Sequence, residues 1–204
     1  MPQTTIALTR ATNTDVPTVA SVLARAFQDD PVFAWSIPDP DRRRAHLPTV
    51  FAAFTELYLP YEEAYLAEDG SGAALWAPAH VDPFHGDAGE AFGQRMAELL
   101  DEADTDRFLA VGELFGEHHP GQPWVYLQLI GVAPDQQGRG LGSRLLAPVL
   151  ARCDATATPA YLEASTVGNR RLYERHGFTT VDELPLPDGG PPVWLMWREP
   201  AAPA

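Results

Sequence analysis

The chain contains no lysine. Its 14 basic residues are all arginine, set against 28 Asp and Glu, for a formal net charge of −14. The missing lysine excludes the phosphate loop of the nucleoside triphosphatases, which needs Gly-Lys followed by Ser or Thr. The charge balance repels phosphate backbones and anionic membranes and attracts cations. Cysteine is almost absent as well: Cys153 stands alone, so neither an intrachain disulfide nor a thiolate metal site is available. No apolar run approaches the roughly eighteen residues of a membrane span. Residues 1–5 show neither the basic cluster nor the apolar stretch of a secretory leader. These absences predict a cytoplasmic protein with no metal, no nucleic-acid partner and no membrane partner. They leave monomer and homodimer equally open.

What is present is a globular composition. Hydrophobic residues make up 45% of the 204 positions, including nine Phe and five Trp, enough to bury a core within a single domain spanning 1–204. A strand is expected over 5–10. A helix follows from about residue 15, with Val16, Val19, Leu23, Ala26 and Phe27 at helical spacing, Thr14 as its cap and Pro17 in its first turn. A second helix is expected over 42–58. Two short strands, 65–67 and 73–76, flank a Glu-Asp-Gly-Ser-Gly turn. Amphipathic pieces over 88–102 and 105–116 come next. The stretch 124–132 is too short for a buried helix and rich in strand formers, so it reads as a central strand. Helix 140–152, strand 160–164, a short helix over 169–176 ended by Gly177, and an antiparallel pair over 178–183 and 193–197 complete an α+β pattern.

Between the central strand and the next helix lies Gln137-Gly138-Arg139-Gly140-Leu141-Gly142-Ser143. Such a loop offers successive backbone N–H groups at a helix N-terminus, where orphan donors and the helix dipole favour an anion. Glycine keeps a Cβ out of the way of a phosphate, and Arg139 can add charge. A ligand-free tight turn would also use glycines. A dinucleotide fingerprint fails on spacing, because Ser143 stands at the third glycine position, and the loop starts only about seventy residues from the C-terminus, too few for a dinucleotide domain. Asn169 and Tyr173, four apart, share one face of the short helix. Tyr173 has a second reading, as core packing against Phe178.

Taken together, Val132-x-Pro134-x-x-Gln137-Gly138-Arg139-Gly140-Leu141-Gly142 and Asn169-x-x-x-Tyr173-Glu174-Arg175-x-Gly177-Phe178 resemble the GNAT superfamily of N-acetyltransferases. Upstream, Ala26-Phe27-x-Asp29-x-Pro31, Pro38-Asp39-Pro40-Asp41-Arg42, Met96-Ala97-Glu98-Leu99 and the closing Val193-Trp194-Leu195-Met196 look like the puromycin N-acetyltransferases within it. The resemblance implies a mixed, mostly antiparallel central sheet with a splayed parallel strand pair and helices on both faces. It also implies a CoA-binding core over about 124–178, acceptor-side elements over about 13–123, and acetyl-CoA as cosubstrate. The parallel pair would be 124–132 and 160–164.

By the same resemblance, residues Gln137, Gly138, Arg139, Gly140, Leu141, Gly142 and Ser143 cradle the CoA pyrophosphate. Ile130, Gly131 and Val132 pair with the pantetheine arm, with Gly131 marking a bulge or a close backbone approach, and Asn169 contacts that arm. Transfer to an amine needs a base, an oxyanion donor and an acid for the thiolate. A backbone N–H near Ile130 is the oxyanion candidate and Tyr173 the acid. Glu163 has two readings, as the base or as the partner of an arginine such as Arg170. Asp29, Asp30, Phe33, Trp35 and Trp76 are candidates for an acidic, aromatic acceptor pocket. The adjacent His118 and His119 point apart and lack a third ligand, which favours a loop pair over a metal site. The expected partner is a small-molecule amine, an aminonucleoside or an antibiotic among the possibilities, acetylated by direct attack in a ternary complex. Acetylation of a protein N-terminus or lysine, which would need an open groove, and a non-catalytic acyl-CoA sensor are the competing readings.

Overall fold

The computed structural model describes residues 7–202; Thr5 and Ile6 of the first expected strand, and the leader region over 1–5, lie outside them. Strand β1 (Leu8–Arg10) leads to helix α1 (Val16–Phe27). The entry to α1 is held by Thr12, whose N–H and hydroxyl both donate to the Asp15 carboxylate at 2.8 and 2.7 Å. The expected cap, Thr14, only exchanges a hydrogen bond with the Thr12 hydroxyl. Helix α2 (Pro31–Ser36) begins at Asp30, which accepts from the N–H groups of Val32 and Phe33. Helix α3 (Pro40–Tyr58) begins at Asp39 in the same way. In both, an Asp-Pro pair starts the helix.

Strands β2 (Ala64–Ala67) and β3 (Gly72–Ala77) form the expected hairpin, followed by α4 (Asp87–Leu99) and α5 (Glu102–Glu117). Then come β4 (Val125–Val132), α6 (Leu141–Ala155), β5 (Ala160–Ala164), α7 (Val167–Glu174), β6 (Thr179–Pro185) and β7 (Pro192–Arg198). One seven-stranded sheet runs in the order β1-β2-β3-β4-β5-β7-β6. Every neighbouring pair is antiparallel except β4 and β5.

The sheet separates two cores because residues alternate across its faces. On one face Val19, Leu23, Ile37, Leu47, Phe51 and Tyr58, all under 1% exposed, pack α1 and α3 against Ala73, Leu75 and Leu129. On the other, Leu145, Leu146, Val149 and Cys153 of α6 meet Trp76, Leu162 and Met196, joined by Tyr173 and Phe178. Each such fully buried side chain contributes roughly 1.5–3 kcal/mol of transfer free energy. Gly131 allows α1 to lie directly on β4: a Cβ there would stand 2.9 Å from both the Ala26 Cβ and a Leu23 methyl. That settles the two readings of Gly131 as close approach. The bulge falls at Gln128 instead, where the β3–β4 register slips between Leu75↔Leu129 and Trp76↔Leu127.

Buried polar links orient the helices above the sheet. Arg43 donates to the carbonyls of Gln28 and Ile37 and fixes the α1–α2 turn on α3. Asp104, 1% exposed, takes Arg42 and Arg107 and ties α5 to α3.

Candidate active site

The parallel pair is only two residues deep. Val125 faces Ala160 and Tyr126 faces Tyr161, after which β4 and β5 part. From Leu127 onward β4 is paired to β3 on one side only, and β5 is paired to β7 on its far side. The gap widens toward the C-terminal ends of both strands. At one lip the chain leaves β4 for the glycine loop; at the other it leaves β5 for α7.

In the loop, Gly138 and Gly140 take φ of +75° and +80°, the left-handed region that glycine enters without cost. A Cβ at either would touch nothing in the protein, so they are needed for backbone shape and not for internal room. The first bond of α6 runs from the Arg144 N–H to the Gly140 carbonyl at 3.2 Å. Among the described residues, no protein acceptor receives the amides of Gly138 through Ser143. Those amides form a cluster of free donors at a helix N-terminus, the arrangement that suits a diphosphate. The Gln137 amide nitrogen donates to the Val132 carbonyl at 3.1 Å and braces the loop, and Arg139 rests on Gln136 at 3.0 Å.

A cavity of about 960 Å³ opens from the gap, roofed by α2, α4, α5 and the 78–86 segment. That size suits a small molecule rather than an extended peptide. Phe27, Phe33, Phe54, Phe84, Phe92 and Phe108 line it and contact one another at 4.8–6.4 Å between ring centres. Its carboxylates are Asp30, Asp82, Glu90, Glu113 and Glu163, and among the described residues no arginine lines it.

The bulge at Gln128 places that amide on the cavity wall, where its oxygen accepts from the Tyr58 hydroxyl at 2.7 Å. On β5, residues alternate, so Leu162 enters the α6 core while Tyr161 and Glu163 face the other way. Glu163 accepts from the Tyr126 hydroxyl at 2.7 Å and lies 3.5 Å from the His119 imidazole. Burial, reinforced by the Glu163 charge, pushes the Tyr126 phenol well above its ordinary value; burial, Asp82 and Glu163 do the same to Tyr58. Both are therefore fixed as protonated donors. Arg170, the other expected partner of Glu163, instead pairs with Glu174 at 3.4 Å and lies over the Trp194 ring.

Thr166 caps α7 by accepting the Asn169 N–H at 3.1 Å, and Asn169 and Tyr173 both reach the cavity. The Tyr173 ring also packs edge-on against Phe178, 5.9 Å away, as its core-packing reading expects. Burial first and the Asp30 carboxylate second raise its phenol, which keeps the proton on oxygen. Asp30 is itself raised by burial. One of its oxygens caps α2 and the other takes a close hydrogen bond from the Ser165 hydroxyl, which is 3.5 Å from the Asn169 amide nitrogen.

Of the acceptor-side candidates, Asp30 and Phe33 are on the cavity wall. Asp29 is exposed, Trp76 is buried in the opposite core, and Trp35 lies against Gly190 in the β6–β7 turn. Sequence reasoning passed over Tyr126, Gln128 and Tyr58, and it read His119 as a loop residue. Nothing local marks them, since each is recruited by a strand register or a helix lying over the sheet. His118 turns away to the Leu114 carbonyl. Among the described residues no group of three or more His, Cys, Asp or Glu is placed to hold a metal ion, and no helix is long and apolar enough to cross a membrane.

Residues 51–178 match the model of the acetyltransferase (GNAT) family. An uncharacterized N-acetyltransferase of Schizosaccharomyces pombe is 36% identical over 77 residues, 37% of this chain; the match spans 31% of that relative, so this chain corresponds to about a third of its length. A solved structure described as histone acetyltransferase HPA2 and related acetyltransferase, from Corynebacterium glutamicum, superposes with a TM-score of 0.65 and 28% identity, covering 98% of this chain and 99% of that one. The polyamine N-acetyltransferase of Drosophila melanogaster shares the fold at a TM-score of 0.66 and 17% identity, over 95% and 99% of the two chains.

Proposed function

The chain belongs to the acetyltransferase (GNAT) family, and from that premise we propose that it transfers the acetyl group of acetyl-CoA to the primary amine of a small molecule. One observation carries the reading. A parallel ladder that stops after two residue pairs leaves an opening with a cluster of free amide donors at one end and a roofed, acidic, aromatic cavity at the other. We take 7–202 to act as one catalytic unit, with the CoA-binding core over about 124–178 and the acceptor side over about 13–123.

In this reading the amides of residues 138–143 hold the CoA diphosphate. The unpaired edge of β4 near Ile130, Gly131 and Val132 receives the pantetheine amides as another strand would, and Asn169 borders the same arm. Acetyl-CoA supplies the acetyl thioester. Tyr173, protonated and at the cavity wall, is the donor to the departing sulfur, and Glu163 draws the ammonium of the acceptor into the site before attack. An amide N–H of β4 near Ile130 faces the developing oxyanion.

The acceptor follows from the cavity wall. Five carboxylates and no arginine favour a cation, and the phenylalanine lining favours a bulky apolar or aromatic body behind it. Helices α4 and α5 close the space, which speaks against a protein tail. The test is release of free CoA from acetyl-CoA across a panel of amines: phenylethylamine, tryptamine, agmatine, spermidine, puromycin and a lysine peptide. Turnover should favour the aromatic monoamines, with puromycin among the substrates if the upstream resemblance carries its acceptor. A preference for the lysine peptide would overturn the small-molecule reading. Failure to bind acetyl-CoA by calorimetry would overturn the whole assignment.

A further inference from the structure

The two oxygens of Glu163 have different surroundings. Oε2 accepts from Tyr126, whereas Oε1 is buried and, among the described residues, meets no donor in good hydrogen-bond geometry, although the buried Tyr161 hydroxyl also lies close to this carboxylate. Facing it at 3.5 Å is Nε2 of His119, which is buried and equally without a partner. Two buried polar atoms this close yet not hydrogen-bonded are uncommon in a folded protein and call for a reason. The ring has little freedom to turn away. Trp124, Tyr126 and Tyr161 surround it edge-on at 5.3–5.7 Å between centres. Its side chain keeps 30% of its surface exposed against 5% for Glu163, and both residues line the cavity. The imidazole is therefore the more accessible member of the pair on the cavity wall.

We propose that His119 is a catalytic residue for acetyl transfer, forming with Glu163 the pair that takes the proton of the incoming ammonium. The inference rests on the acetyl-transfer reading above. The ammonium gives one proton to the imidazole, and the resulting imidazolium is held by the Glu163 carboxylate. The freed nitrogen lone pair forms the N–C bond at the acetyl carbonyl. The C–S bond then breaks with its electron pair on sulfur, sulfur takes the Tyr173 proton, and the second nitrogen proton restores the phenol. The imidazolium releases its proton to solvent, so one acetamide, one thiol and one proton are formed per ammonium and thioester consumed. A histidine suits the first step because its proton affinity lies closest to neutrality among side chains. Other titratable groups near the pair are Tyr126 and Tyr161 on the sheet, Tyr58 on α3, Asp82 before α4 and Glu113 on α5; burial holds the three tyrosines protonated.

The test uses the full chain with acetyl-CoA and phenylethylamine, following CoA release from about pH 6 to pH 9, the range in which a histidine base controls rate. Variants are H119Q, E163Q and, should H119Q melt early, H119N. Both H119Q and E163Q should lose about 10²-fold or more in kcat at neutral pH while binding acetyl-CoA as the wild type does. In H119Q the acidic limb of the kcat/KM profile should disappear, with partial recovery at high pH where the amine is already free. If His119 merely props the loop, H119Q should raise KM or lower stability and leave the profile unmoved. H119Q with wild-type kcat and pH profile overturns the proposal alone. Wild-type protein that binds acetyl-CoA yet releases no CoA with any amine of the panel overturns the transfer reading and this proton step together.

Discussion

Replacing Gly140 by alanine separates what the glycine loop does for the fold from what it does for a ligand. At φ +80° an alanine must hold the left-handed conformation, which costs about 1–2 kcal/mol. No steric term is added, because its Cβ would meet nothing within 4 Å. For a chain of this size each kcal/mol moves Tm by about 2–4 °C, so G140A should melt about 2–8 °C lower and remain folded. Gly189, at φ +74° with equally open space around its Cβ and placed in the β6–β7 turn, is the matched control. G189A should melt lower by a similar amount. The two should differ in acetyl-CoA binding measured by calorimetry. If a diphosphate sits on the free amides of residues 138–143, the new methyl group lies where its oxygens approach, and affinity should fall at least tenfold, about 1.4 kcal/mol. G189A should bind as the wild type. Equal affinity for G140A and the wild type would refute the cradle, since the only space the methyl can obstruct is outside the protein.

Tyr173→Phe keeps the ring on Phe178 and removes only the hydroxyl, so it should lower kcat by about 10²–10⁴-fold with acetyl-CoA affinity nearly intact; wild-type turnover would remove Tyr173 from the chemistry. Asp30→Asn should show a pH-dependent stability difference. Burial raises the Asp30 carboxyl in the folded state, so its favourable contribution is complete below the ordinary carboxylate value near 3.8 and is lost as pH rises through the elevated folded value. An asparagine can still cap α2, so the Tm of D30N relative to wild type should be higher at pH 7 than at pH 4, and a pH-independent difference would contradict the burial argument.

Parts of the site were legible because they depend on local geometry. The glycines of the 137–143 loop announce left-handed backbone at a helix start. Asn169 and Tyr173, four apart, had to share a face of α7. Glu163 was visible as a carboxylate closing a strand, but its partner was not: Arg170 is near in sequence, yet it lies on the first turns of α7 and pairs with Glu174. Trp76 looked like a pocket aromatic. The alternation that buries Leu75 against α3 sends Trp76 to the α6 core, and only the sheet's place between two helical layers decides which face is which. Gly131 was correctly marked as unusual, but close approach and bulge cannot be told apart without knowing that α1 crosses there.

The sequence by itself determined the kind and order of the elements, the glycine-rich turn after β4 and the family, because helical period, strand alternation and glycine backbone freedom act within a few residues. The tertiary structure alone decided the aromatic, acidic cavity, the bulge at Gln128, the link from Asp30 to Ser165 across 135 positions, and the meeting of His119 with Glu163. Those contacts arise when strands choose a register and helices settle over the sheet, and no local preference of the residues involved specifies the distant partner.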